Sequence, residues 1–189
     1  MKLEILQVSE VDNLNEFIEF WKKQYFYNGE NTYDDIIEKE YLLEDDLKEL
    51  YIWKNGTPLS AKKQLSFEVK ILSKLDLINN WKEKGFKLEL FLEEFKDVSF
   101  VWKIFLLHII SPNSYPIYDQ HIHRAFNKIN NLEWENISNT ISNKIKENFY
   151  FNTYLGFLEL NKVNDLRKLD KAFFAYGQFL NSKIGKADL

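Results

Sequence analysis

The chain has 189 residues, of which 45% are hydrophobic and 29% are charged, the balance of a globular protein with one core. It contains no cysteine, which excludes disulfides, thiolate-bound zinc and iron–sulfur clusters. The formal net charge of −4 divides into −6 on residues 1–96 and +2 on residues 97–189, far from the basic stripe of a strong nucleic-acid binder.

The N-terminal stretch MKLEILQVSEVDNLNEF carries acidic residues throughout and has no long apolar centre. It therefore differs from a secretory signal peptide. No apolar run of the chain approaches the roughly 20 residues that a bilayer span needs. We expect a cytoplasmic protein that does not enter the membrane.

The first half of the chain predicts a series of amphipathic helices. Apolar residues recur at helical spacing over 11–27, over 32–51, and again after Ser60, which we expect to cap the helix that follows it. The breaks between these segments are Asn28-Gly29, Asn55-Gly56 and Lys84-Gly85.

The second half continues in the same way, with one helix that is apolar around almost its whole circumference. The predicted elements are a short helix over 88–95, a turn at KDVS (96–99), the apolar helix FVWKIFLLHII (100–110), a loop at SPNSYP (111–116), a helix from Asp119, and helices near 134–151 and 165–181. No alternating strand pattern is long enough to count. We predict an all-α fold in a single domain over 1–189, with one or two lobes.

Three isolated features allow both a functional and a structural interpretation. Trp53, before the Asn55-Gly56 turn, could stack on a base in a nucleic-acid loop or belong to a surface turn. The acids Glu44, Asp45 and Asp46 could hold a metal, but neighbouring acids on a helix point apart, which favours a solvated face. His108 within the apolar helix is most simply a core histidine with satisfied hydrogen bonds.

The stretch SYPIYDQHIHRAF (114–126) contains two of the three histidines together with an aspartate and an arginine. Asp119 follows a proline and precedes a helix, so its carboxylate can accept backbone N–H groups as an N-cap. On that interpretation Arg124 is an exposed surface charge. His121 and His123 lie about 200° apart on a helix, which makes a shared metal unfavourable. We expect neither a metal site nor a cofactor.

The wider segment LEEFKDVSFVWKIFLLHIISPNSYPIYDQHIHRAFNKI (92–129) resembles the signature region of the helix-hairpin-helix DNA glycosylases, the endonuclease III-like superfamily, and the resemblance extends over residues 88–130. Members have a hairpin of the form Leu-Pro-Gly-Val-Gly, a buried helix, a loop, and an aspartate that opens a helix as Asp-Thr-His-Val-x-Arg. FKDVS (95–99) falls at the hairpin. DQHIHR matches the second part at Asp119, His121, Ile122 and Arg124.

The resemblance implies a bilobed all-α fold and assigns Asp119 as the catalytic carboxylate. Glycosylases extrude a damaged base and break its N-glycosidic bond, and a carboxylate stabilises the oxocarbenium-like sugar. The other candidate residues, which would contact substrate or DNA, are His121, Arg124, Tyr118, Ser99 and Lys103.

The segment also departs from the family pattern. Asp97 and Ser99 replace the two hairpin glycines, and Asp97 places a negative charge where a DNA phosphate would lie. Val101 occupies the position of the lysine that forms a Schiff base in bifunctional members, and Lys103 is about 200° around the helix from it. The resemblance therefore implies a monofunctional glycosylase without lyase activity.

Two interpretations stay open. The first is a divergent, monofunctional DNA glycosylase acting on a modified base. The second is a catalytically inactive helical domain that serves as a structural or interaction module, which the loss of both hairpin glycines favours. For either we expect DNA binding, if present, to be weak and strongly salt-dependent. The sequence does not indicate a protein partner.

Overall fold

The computed structural model of the chain describes residues 11–132, 141–182 and 185–186. These residues form helices and connections without a β-strand, which confirms the all-α class. The α-helices are α1 (Leu14–Trp21), α2 (Glu30–Ile37), α3 (Glu44–Asn55), α4 (Ala61–Lys70), α5 (Leu75–Lys84), α6 (Leu88–Glu94), α7 (Phe100–Ile110), α8 (Gln120–Ile129), α9 (Asn143–Asn148), α10 (Leu155–Leu160) and α11 (Leu166–Asn181). None of the described helices has the length and apolar character needed to cross a lipid bilayer. Residues 134–140 of the predicted 134–151 helix lie outside the described ranges.

The predicted helix over 32–51 is two helices, because the chain turns at Leu42 between α2 and α3. Asn79 of α5 holds this turn: its side-chain amide accepts the Leu42 N–H and donates to the Leu42 carbonyl, each at 2.9 Å. Asp46 then accepts the N–H of Leu43 at 2.9 Å and caps α3. Local periodicity could not predict this break, since its cause lies 37 residues further along the chain.

The predicted helix after Ser60 is also interrupted. α4 ends at Lys70, a 3₁₀ turn follows over Leu72–Lys74, and α5 begins at once. Ser60 does precede α4, but its side chain makes no capping hydrogen bond. Ile71, at the interruption, is fully buried. The bend therefore keeps an apolar side chain in the core.

α7 is the buried central helix that the sequence predicts. Nine of its eleven residues are buried, and among them is His108. The Nδ1–H of His108 donates to the Tyr115 carbonyl at 2.7 Å, and its Nε2 hydrogen-bonds to the Tyr33 hydroxyl at 2.6 Å. Both ring nitrogens are satisfied, as expected for a core histidine, and burial lowers the pKa of His108 to about 3.

A π-helical turn over Phe149–Tyr154 packs against the loop that leads into α8. Tyr150 donates its hydroxyl to the Pro116 carbonyl at 2.9 Å. The ring of Tyr118, at the end of the loop, lies 4.8 Å from the ring of Tyr154. These buried aromatic contacts fix the point at which α8 begins.

α11 packs against both α8 and α1. A Cβ atom on Gly177 would lie 2.0 Å from the carbonyl oxygen of His121, so only glycine allows α11 to approach α8 this closely. α11 also packs on Phe17 of α1, whose ring centroid lies 6.0 Å from that of Phe173 and 5.0 Å from that of Tyr176. The N-terminal and C-terminal parts of the described chain therefore share one aromatic core.

Candidate functional site

Asp119 is the N-cap of α8, which confirms the cap prediction. Its Oδ1 accepts the backbone N–H of His121 at 2.8 Å and that of Ile122 at 3.1 Å. Its Oδ2 accepts a hydrogen bond from the ammonium group of Lys54, in α3, at 2.9 Å. Both oxygens of the candidate catalytic carboxylate are thus engaged, one by the helix start and one by a lysine that the sequence did not point to.

The Lys54–Asp119 ion pair is largely buried, with side-chain exposures of 7% and 14%. Burial by itself would raise the pKa of Asp119. The pKa is nevertheless lowered, because the charges of Lys54 and His121 and the hydrogen bonds from Lys54 and the Ile122 N–H stabilise the carboxylate. Asp119 is therefore ionised at neutral pH.

Tyr118 lies in the core beside Asp119. Its hydroxyl hydrogen-bonds to Nδ1 of His123 at 2.6 Å. Its ring packs against the rings of Tyr150 and Phe149, with centroid distances of 5.5 and 6.3 Å. Tyr118 thus supports the loop before Asp119 from the inside.

Arg124 is buried, with 4% of the residue exposed, so the expectation of an exposed surface charge is wrong. Its Nη1 donates to the Gly177 carbonyl at 2.9 Å and lies 3.3 Å from Nδ1 of His121. The reason is the close approach of α8 and α11 at Gly177, which encloses the guanidinium group. The His121 ring packs on Phe174, with 4.9 Å between centroids.

The connection between α6 and α7 is a tight turn, as predicted, closed by the Val98 N–H on the Phe95 carbonyl at 3.0 Å. None of its residues has a positive φ. In the described chain, the non-glycine residues with positive φ are Asn131 and Lys162, which lie elsewhere. Asp97 and Ser99 therefore occupy the glycine positions of the hairpin without backbone strain.

The hairpin is held by one lysine of α4 and one of the 3₁₀ turn that follows it. Lys70 donates to the Asp97 carbonyl at 2.9 Å, and Lys74 donates to the Glu94 carbonyl at 2.7 Å. Ser99 is exposed before α7, and its side chain makes no capping hydrogen bond. Lys103 is buried, and its ammonium group pairs with Glu147 of α9 at 2.7 Å. Ser99 thus faces solvent while Lys103 joins two helices.

A cavity of ≈ 20 Å³ lies next to the Lys54–Asp119 pair, and Lys54 is part of its wall. Four aromatic side chains from three parts of the chain line it: Tyr25, Tyr27, Trp53 and Phe174. The rest of the wall is Lys54, Ile117, Arg167 and Asp170. Space of this size holds one or two water molecules. An extruded base therefore enters only if a wall side chain moves.

Trp53 is in neither of the positions considered from the sequence. It is buried in α3 and stacks on Tyr33, with 4.4 Å between ring centroids and 28° between the planes. Of the acids near it in sequence, Glu44 and Asp45 are exposed, whereas Asp46 is buried and pairs with Lys39 at 2.6 Å. Within the ranges that the structure describes, no group of three or more His, Cys, Asp or Glu side chains could hold a metal ion.

Arg167 and Asp170 of α11 are site residues that sequence reasoning missed. The guanidinium carbon of Arg167 lies 4.3 Å from the Tyr33 ring centroid, and its Nη2 is hydrogen-bonded to Glu30. Lys171 also pairs with Glu30, at 2.8 Å. Asp170 is buried and accepts the Ile117 N–H at 3.0 Å. The signal was available, since both residues fall beside the apolar stripe of the predicted 165–181 helix.

No family model, no curated protein and no solved structure matches the chain.

Proposed function

We propose that the protein is a divergent, bilobed DNA glycosylase-like protein that releases a modified base from DNA without cleaving the strand. Asp119 is the catalytic carboxylate. The observation that carries this proposal is that an ionised Asp119 is joined through Lys54 to a cavity lined by aromatic rings.

The ionised state of Asp119 is the form that this reaction needs. When the N-glycosidic bond breaks, positive charge develops on the sugar, and a fixed anion at the start of α8 stabilises it. The same carboxylate can orient the attacking water. Because the N-H groups of His121 and Ile122 hold Oδ1, the group needs little reorganisation during the reaction.

The aromatic cavity supports the second requirement, a place for the base. Rings of tyrosine, tryptophan and phenylalanine stack on any nucleobase with little dependence on its identity. Lys54 lines this cavity and pairs with Asp119, so its displacement would open the cavity toward the carboxylate. We therefore propose that DNA binding moves Lys54 away from Oδ2 before the base enters.

The absence of lyase activity follows from position 101. Val101 has no amine with which to form a Schiff base, and Lys103 is committed to Glu147. Base release should leave an abasic site with the strand intact.

The test is base release from duplexes that carry a range of modified bases. Asp119→Asn should lower the rate at least about 100-fold, because the amide can still cap α8 but carries no charge. Asp165→Asn is the matched control, since Asp165 caps α11 in the same way, by accepting the Lys168 N–H at 2.9 Å. Equal rates for wild type and Asp119→Asn would rule out Asp119 as the catalytic group.

A second candidate is the inactive helical module, and the closed Lys54–Asp119 pair favours it. With both carboxylate oxygens engaged and a cavity of ≈ 20 Å³ beside them, the described residues around Asp119 leave no space for a nucleotide. Folded wild-type protein that releases no base from any duplex of the panel would favour this candidate.

A further inference from the structure

Three residues of the cavity wall each carry a buried polar side-chain atom that has no hydrogen-bond partner within the described chain. Nε1 of Trp53, Nε of Arg167 and Oδ1 of Asp170 are buried side-chain atoms without a hydrogen-bond partner. All three belong to residues that line the cavity. A buried polar atom without a partner costs free energy, so a ligand that completes these bonds would be favoured.

These three groups act mainly as donors. The indole and guanidinium N–H groups can only donate. Burial raises the pKa of Asp170 to about 8, which leaves its carboxyl group mostly protonated at neutral pH and able to donate as well. The set therefore suits a ligand that presents acceptors.

The rest of the wall suits a flat, apolar ring. The rings of Tyr27 and Phe174 meet edge to face at 5.4 Å, and Tyr27 meets Trp53 in the same manner at 5.2 Å. The Arg167 guanidinium carbon lies 5.6 Å from the Trp53 ring centroid. A planar ring inserted among them would gain stacking with the aromatic rings and with the guanidinium plane.

From these contacts we infer that the cavity between α3 and α11 binds a planar heteroaromatic ring that presents hydrogen-bond acceptors along one edge. Trp53, Arg167 and Asp170 recognise that edge, and the aromatic side chains hold the ring. Only the assignment of the ring to a base extruded from DNA rests on the proposed function. Binding of the free compound does not.

Lys54 controls the space that the ring needs. Its long side chain lines the cavity, and its ammonium group is held at the far end by Asp119. Lys54→Ala removes that part of the wall and should raise the affinity for the ring. A thermal melt of this variant checks that the fold survives the loss of the ion pair.

The test is calorimetric titration of the full chain with hypoxanthine and with indole. Hypoxanthine is planar and presents acceptors, whereas indole has a similar size and a single N–H donor. We expect a Kd of roughly 0.1–1 mM for hypoxanthine and at least about tenfold weaker binding of indole. Trp53→Phe keeps an aromatic ring without the N–H and should weaken hypoxanthine about tenfold, while leaving indole unchanged.

Trp102→Phe is the matched control, because Trp102 lies in α7 and does not line the cavity. The inference is overturned if hypoxanthine does not bind, if indole binds as well as hypoxanthine, or if the control variant weakens binding as much as Trp53→Phe. If a duplex carrying one hypoxanthine base competes with free hypoxanthine, the ligand is an extruded base. If the duplex does not compete, the ligand is the free compound. Hypoxanthine binding without base release would contradict only the proposed function, and base release without hypoxanthine binding only this inference.

Discussion

Asp119 combines the roles of helix cap and ion-pair partner in one carboxylate. Oδ1 is committed to the backbone of α8, and Oδ2 to Lys54. The lysine keeps the buried carboxylate charged, yet it also covers the oxygen that a sugar cation would approach. Any catalytic role therefore depends on how readily Lys54 leaves Oδ2.

The first prediction separates the cap from the ion pair by comparing two helix starts. Asp165→Ala should cost about 0.5–2 kcal/mol of unfolding free energy, because it removes an N-cap. Its ion pair with Lys168 adds little, since the Asp165 side chain is 47% exposed. Asp119→Ala should cost about 3–5 kcal/mol, because it also leaves the ammonium group of Lys54 buried without its partner. Urea unfolding of both variants measures the difference. Equal costs would mean that the ammonium group of Lys54 becomes solvated when Asp119 is removed.

The same pair marks how far the sequence could predict the candidate site. A polar residue after a proline and before a helix is a local pattern, so Asp119 as cap could be predicted. Lys54 lies 65 residues away in the sequence, and nothing local pairs the two. The burial of Arg124 could not be predicted for a similar reason, since it depends on Gly177 in another helix.

At the level of elements, the sequence predicted the helices whose own residues decide their ends. α7 is apolar on nearly all sides, and α8 begins at its cap, so both appear where the pattern places them. The division of 32–51 into α2 and α3 was not predicted, because the turn at Leu42 is held by Asn79.

The second prediction concerns the hairpin between α6 and α7. If the protein binds duplex DNA, Asp97→Asn should tighten binding, because it removes a repulsion between Asp97 and a phosphate. The salt dependence of binding should not decrease. Asp97→Gly should bind at least as tightly as Asp97→Asn. It should also lower the unfolding free energy by about 0.5–1 kcal/mol, because glycine has more freedom in the unfolded chain and this turn has no positive φ that would favour glycine. Duplex affinity at several salt concentrations and urea unfolding provide the measurements. Weaker binding by both variants would show that Asp97 contributes to DNA binding.

The cavity exists only at the scale of the whole molecule. Tyr25 and Tyr27 precede α2, Trp53 and Lys54 end α3, and Ile117 comes from the loop before α8. Arg167, Asp170 and Phe174 complete the wall from α11. Periodicity predicts each helix but not which faces meet, so this site could not be assembled from the sequence.

Folding also buries two titratable groups whose effects on stability oppose each other. His108 is neutral in the folded chain with a pKa of about 3, so stability is lost as pH falls below about 6.5, where the unfolded histidine gains a proton. Burial raises the pKa of Asp170 to about 8 against the nearby charges of Arg167 and Lys54, while the charge of Asp119 raises it further. Between about pH 4 and pH 8 the unfolded chain therefore binds fewer protons at this residue than the folded chain, and stability falls as pH rises.

The last prediction isolates the contribution of Asp170 to this balance. Asp170→Asn keeps an oxygen that can accept the Ile117 N–H, at 3.0 Å in the wild type, but cannot ionise. The unfolding free energy of the variant, relative to wild type, should therefore rise by more than about 1 kcal/mol from pH 5 to pH 8. Asp165→Asn is the control, because the pKa of Asp165 is lowered and its effect on stability changes only in acid. The measurement is urea unfolding of the three proteins at both pH values, which cancels the contribution of His108 in the difference. A constant difference between Asp170→Asn and wild type would mean that Asp170 is ionised in the folded protein throughout this range, and that the wall of the cavity carries a carboxylate instead of a donor.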